Sequence, residues 1–101
     1  LKARRAIGGS APVPADPIES LPGIGPRSRA MLADAGIDSA ATLRRLGSVE
    51  AYCRVKRSGA AASLNLLWSL EGALTGQDWR AVARLHRASL LLALEDRERR
   101  P

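Results

Sequence analysis

The stretch Leu21–Leu32, LPGIGPRSRAML, constrains this chain more than any other. Pro22 fixes φ, while Gly23 and Gly25 lack a Cβ and are free to take φ > 0 or to let a backbone or ligand come close. Pro26 suits a first helical position, where an amide hydrogen has no partner in any case. The spacing therefore predicts a turn that feeds a helix. The first amides of such a helix are unbonded, and its dipole favours an anion. With Arg27 one residue in, the stretch reads as a phosphate seat. It reads equally as a tight connection between two packed helices.

The remaining glycines, prolines and small polar residues divide the chain. Residues 1–15 are rich in Ala, Gly and Pro with no hydrophobic period, and read as a flexible linker or tail. Asp16-Pro17 looks like the start of a short helix through Ser20. The helix opened by Pro26 is expected to run to about Ala35, with Gly36 as its stop and Ile37 closing the end. Asp38 or Ser39 caps the next, which ends near Leu46–Gly47. Ser48 caps a fourth, with Val49, Tyr52, Cys53 and Val55 as its apolar members. Its last turn carries Arg54, Lys56 and Arg57, where cations complement the dipole. Ser63 caps the most apolar helix, SLNLLWSLEGALTG. Leu64, Leu67, Trp68 and Leu70 fill more than one of its faces, so it is expected to be central. Asp78 caps a last helical region from Trp79, with a break expected near residues 82–84 and a buried stripe of Leu85, Leu90–Leu92 and Leu94. DRERR beyond it reads as a frayed, charged end. No alternation of Val, Ile and Thr marks a strand. The predicted class is all-α, a compact bundle of five or six short helices over residues 16–96, with a charged tail at 97–101.

Few residues here can do chemistry. A metal centre needs several ligands, and nucleophilic catalysis needs a nucleophile, a base and an orienting group. The chain has one Cys and one His. Cys53 and His86 share no local motif, and Cys53 reads as a small core residue. Glu71, inside the apolar helix, has no second carboxylate at a working spacing, and GxxxxGK[ST] is absent. No catalytic residue, metal ligand or cofactor is therefore expected, and the chain reads as a non-enzyme. Trp68 is expected in the core; Trp79 is either a core anchor or a partner contact.

The net charge of +6 points to a polyanionic partner, yet residues 16–96 hold ten Lys/Arg against nine Asp/Glu. Most of the surplus lies in the two ends, which read as solubilising tails. No apolar run approaches the roughly 20 residues that span a bilayer. No signal-peptide block precedes the domain, and a single cysteine fits a reducing compartment. A cytoplasmic location, away from the membrane, is expected.

LPGIGPRSRAML, AGI, LRRLGSVEAYCRV and SLNLLWSLEGALTGQDW, in that order and at these spacings, resemble the C-terminal domain of TfoX/Sxy-type regulators of natural competence over about residues 17–95. The resemblance implies a helical domain related to helix-hairpin-helix and SAM-like folds. It also implies a role in regulating DNA-uptake and transformation genes. That family usually carries an α/β N-terminal domain, which nothing in this sequence resembles. The G-x-G spacing is similar to helix-hairpin-helix motifs, whose amides face the DNA backbone. Those motifs usually place alanine four residues after the second glycine; here that residue is Arg29. It must snorkel out, adding charge near the phosphate seat, or hold the helices apart. A second resemblance is to the C-terminal domain of the RNA polymerase α subunit, where an arginine matching Arg27 contacts DNA. The second hairpin of that domain corresponds to about Lys56–Ser63, and its lysines are replaced here by Ala61 and Ala62.

The expected function is a non-enzymatic interaction module acting mainly through a protein: a transcription factor, RNA polymerase or its own N-terminal domain. Weak, sequence-independent contact with the backbone of double-stranded DNA through Gly23, Gly25, Arg27 and Arg29 accompanies that role. The alternative is direct DNA binding by the Gly23–Arg27 hairpin as the main activity.

Overall fold

Helix ends in this protein are set by a few residues with special backbone geometry, and most stand where the sequence predicts. A computed structural model describes residues 17–100; the linker over residues 1–15, the Asp16 cap and Pro101 lie outside the described residues. A 3-10 turn (Ile18–Ser20) leads through the hairpin to α1 (Pro26–Asp34), α2 (Ala40–Arg57), α3 (Leu64–Thr75), α4 (Trp79–Leu85) and α5 (Arg87–Arg99). Among the described residues there is no strand, only an isolated bridge between Pro17 and Ser39. The fold is all-α. Its helix α2 bends at Gly47 (φ 82°, ψ 166°), so that residues 40–46 and 48–57 behave as the two helices the sequence predicts.

The exit of α1 shows how sequence fixes a boundary. Gly36 has φ 82°. Its N–H bonds the Ala33 carbonyl at 2.9 Å, and the Ile37 N–H reaches back to the Leu32 carbonyl at 2.8 Å. This is a Schellman closure, and Leu32 and Ile37 bury together beneath it. Ser39 caps α2 by accepting from the Thr42 N–H at 3.1 Å, and Asp78 caps α4 by accepting from the Arg80 N–H at 2.7 Å. Ser48 does not cap. Its buried hydroxyl donates to Glu71 Oε1 at 2.7 Å, tying α2 to α3 and giving the part-buried carboxylate a partner. Ser63 occupies the N-cap of α3, but its side chain makes no capping bond.

Helix α3 is central, as its composition implies. Leu66, Leu67, Trp68, Leu70, Gly72 and Ala73 are buried on it, and α2, which packs against it, adds Leu43, Ala51, Tyr52, Cys53 and Val55 to the same core. Each fully buried leucine contributes roughly 1.5–3 kcal/mol. At Gly72 the chain returns so closely that a Cβ would lie 2.5 Å from the Gln77 carbonyl oxygen. The Gly72 carbonyl in turn accepts from the Gln77 N–H at 2.9 Å, and Gly76 supplies the left-handed turn (φ 74°). That turn lays α4 against α3, with Val82 fully buried and Trp79 half-buried on the core.

The last helices depart from expectation at three points. The break falls at His86 (φ −122°, ψ 9°), which joins α4 to α5, and not within residues 82–84. Of the leucine stripe only Leu90 and Leu94 are buried; Leu85 and Leu92 are 63% and 67% exposed. Leu90 and Leu94 are four residues apart and so share the inner face, which Leu92 cannot also occupy. The expected frayed end is helical through Arg99, and Arg97 is anchored.

That anchor is Glu50. Its Oε1 accepts from Arg97 Nε of α5; its Oε2 accepts from Arg54 Nε at 3.0 Å and lies 3.5 Å from Arg57 Nη2. The bond from Arg97, then that from Arg54, holds the Glu50 carboxyl down at about 2, from an ordinary value of 4.5. The value is lower folded than unfolded, so this stabilisation is complete above about pH 4.5 and is lost as pH falls toward 2.

Two outcomes are expected. Gly72→Ala lowers the melting temperature, because a backbone contact at 2.5 Å outweighs the ~1 kcal/mol that alanine contributes to an α-helix; calorimetry showing equal or higher stability would refute the close-approach account. Glu50→Gln flattens the loss of stability between pH 4.5 and 2 relative to the wild type, read from melting curves across that range.

Candidate functional site

The hairpin is built from one buried and several exposed residues. Leu21 is buried and Ile24 half-buried on the core, which pins both sides of the turn. Between them Gly23 is exposed with φ 84°. Gly25 does not share that geometry. It is the N-cap of α1 at φ −82°, ψ 174°, an extended conformation open to any residue. Of the two glycines free to take φ > 0, only Gly23 does so. Pro26 then occupies the first helical turn, and the Arg29 N–H is the first to close back, onto the Gly25 carbonyl at 2.9 Å.

The four residues singled out from the sequence do not converge. Gly23 lies at a cleft of about 250 Å³ with Pro22, Ser69, Gln77 and Trp79. Arg27 is exposed at a second cleft, of about 380 Å³, whose other walls are Ser28, Met31, Ala61, Ser63, Asn65, Leu66 and Ser69. Arg29 lines a groove on another side, with Ile18, Pro26, Ala30, Ala33, Ile37 and Asp38. Two residues apart on a helix, Arg27 and Arg29 point in different directions. Arg29 is half-buried with its Nε shielded from solvent, and it lines a different groove from that of Arg27.

The Arg27 cleft is where two helix N-termini meet, those of α1 and α3. Neither carries a side-chain cap, whereas Ser39 and Asp78 cap α2 and α4. Asn65 and Ser69, four apart on α3, present polar groups there, and Met31 and Leu66 form an apolar floor. Sequence reasoning missed Asn65 and Ser69, although their spacing on the helix that follows the second turn is the signal that pairs them.

Elsewhere the chemistry is sparse. Cys53 is buried, and burial pushes its thiol up from 9.0. Among the described residues no three His, Cys, Asp or Glu side chains gather so as to hold a metal ion, and no helix is long and apolar enough to cross a membrane.

Fold and site together define a small all-helical domain whose glycine hairpin sets one helix N-terminus beside another. The chain belongs to the TfoX C-terminal domain family, whose model matches residues 14–94. It is also similar in structure to an uncharacterized protein from Listeria monocytogenes, with a TM-score of 0.69 and 28% identity over 81% of this chain and 93% of that one. No curated protein matches.

The two glycines are expected to separate on substitution. Gly23→Val forces a branched side chain to positive φ and costs about 1–3 kcal/mol, while Gly25→Val stays within about 1 kcal/mol. Chemical denaturation of the pair measures both, and equal losses would contradict the assigned geometry.

Proposed function

We propose that this domain is a non-enzymatic, cytoplasmic interaction module in the regulation of natural competence and DNA transformation. It acts mainly by docking a protein at the cleft between the N-termini of α1 and α3. Membership of the TfoX C-terminal domain family supports the competence role. The make-up of the cleft carries the docking reading. Among the described residues, Arg27 is the one cation of its walls, which otherwise present hydroxyls, an amide and the apolar surfaces of Met31, Ala61 and Leu66. Protein interfaces are depleted of charge at their centres in this way, whereas nucleic-acid surfaces are strongly positive. The partner classes that fit the role are a transcription factor, RNA polymerase or the regulator's own N-terminal domain.

A second reading, DNA contact at the hairpin, draws on the two uncapped helix N-termini beside Arg27. Their amides suit a backbone phosphate. Such a contact positions a protein without reading sequence, and with one cation it is weak and salt-sensitive.

Ala61→Lys separates the readings, because Ala61 is exposed and the change adds a cation to the cleft. For protein docking, transcription of DNA-uptake genes in the host falls about tenfold, the effect of losing about 1.4 kcal/mol of binding. A rise in transcription together with tighter binding to duplex DNA would favour the second reading, and unchanged transcription would remove the cleft from either role.

A further inference from the structure

The domain has a second surface, at the opposite ends of its helices, that the hairpin reading does not use. Arg54, Lys56 and Arg57 stand in the last turn of α2; Arg97 and Arg99 stand in the last turn of α5, followed by Arg100. The fold brings these two ends together. Lys56, Arg57, Arg97 and Arg100 line one cleft of about 310 Å³, with Glu98 and Cys53 as its remaining walls. Acids are present but too few to balance it. Among the described residues, Glu50 faces Arg54, Arg57 and Arg97 together, so one carboxylate answers three guanidinium groups. Glu98 answers Lys56 at 3.7 Å, Asp96 lies 2.9 Å from Arg100 and 3.6 Å from Arg99, and Glu95 lies 3.7 Å from Arg99. A positive surplus remains around the Glu50 node. Arg57 and Arg100 are well exposed, at 58% and 70%, so their charge is available to a partner.

We infer that this cleft takes the phosphates of a nucleic-acid backbone, and that duplex DNA meets the domain here and not at the hairpin. Planar guanidinium groups match phosphate oxygens in pairs, and a carboxylate among them orients the fork without neutralising it. Several such groups from two helix ends, set along one cleft, suit a chain of phosphates. Contacts of this kind are independent of sequence and weaken steeply with salt. The inference does not rest on the protein-docking role of the Arg27 cleft. That role is read from gene expression in cells with Ala61→Lys; this one is read from DNA binding in solution.

The test is fluorescence anisotropy of the full chain with labelled duplex DNA, titrated between about 50 and 200 mM salt. The basic N-terminal residues are common to every variant and cancel in the comparison. Arg57→Gln with Arg100→Gln is expected to weaken binding about five- to tenfold at low salt. It also lowers the log–log salt slope by about 2, one for each phosphate that an arginine no longer neutralises. Arg84→Gln, exposed on α4 and lining neither cleft, leaves the affinity within about twofold and the slope unchanged, while Arg27→Ala reports separately on the hairpin. If the double variant melts early, Lys56→Gln substitutes for it, since Lys56 is half exposed and meets only Glu98 and the Tyr52 ring among the described residues; its expected loss is about two- to threefold with a slope change of about 1. Unchanged affinity and slope in these variants, or weakening with Arg27→Ala instead, overturns the assignment. So does a cleft that binds inorganic pyrophosphate by calorimetry while its variants leave duplex binding intact, for then it is a small-anion site only.

Discussion

The approach of the α3–α4 connection to Gly72 is the contact on which the packing of this domain depends. A side chain at that position would have to occupy space already held by the Gln77 carbonyl. Because it is glycine, the turn at Gly76 closes tightly, Asp78 reaches the position where it caps α4, and Val82 enters the core. Helix α3 is thereby covered by α4, and α2 packs against it too, with Leu43, Ala51, Tyr52 and Val55 in the shared core. A helix apolar on more than one face is stable only in such a setting.

Attachment of α5 follows a different principle. Leu90 and Leu94 supply its apolar contact, and Glu50 binds it to α2 through Arg97. Ion pairs at a wet surface contribute little singly, but a carboxylate shared by three guanidinium groups is a network with defined geometry. The domain is therefore polarised. Where α1 and α3 begin, the cleft is mostly neutral, with hydroxyls, an amide and methyl groups. Where α2 and α5 end, the surface is crowded with cations. A single hairpin-centred view of the molecule misses this division.

Much of the fold was legible in the chain because its boundaries are local. Pro26, Gly36, Gly47, Gly76 and Asp78 each act through their own backbone or their nearest neighbours, and each stands where the spacing predicts. What was not legible depended on partners distant in sequence. Ser48 looks like a cap until Glu71, 23 residues away, is brought within 2.7 Å of its hydroxyl. Leu92 looks like core until the register of α5 selects Leu90 and Leu94 from a run of leucines that periodicity alone leaves ambiguous. At the site the limits were similar. Gly23 and Gly25 look equivalent as letters, yet one is left-handed and the other extended. The divergence of Arg27 and Arg29 was available from helical geometry, since residues two apart never share a face. Asn65 and Ser69 needed the fold to bring α3 beside α1.

The basic residues show why a local explanation can be correct and incomplete. Cations in the last turn of a helix gain typically 0.3–1 kcal/mol each from the dipole, which accounts for Arg54, Lys56 and Arg57 on α2 and for Arg97 and Arg99 on α5 taken separately. It does not account for both ends lining one cleft. Two like charges about 4 Å apart near a protein surface repel by as much as about 4 kcal/mol, and by about 1 in open water. Convergence therefore opposes what the dipoles contribute. Glu50 offsets part of that repulsion, and the hydrogen bonds it accepts from Arg97 and Arg54 are what hold its carboxyl low. A single carboxylate among three arginines leaves the remainder uncompensated. The dipole favours Arg57 and Asp96 partners Arg100, but neither explains why the two helix ends share one cleft, which an anion received from outside the chain would.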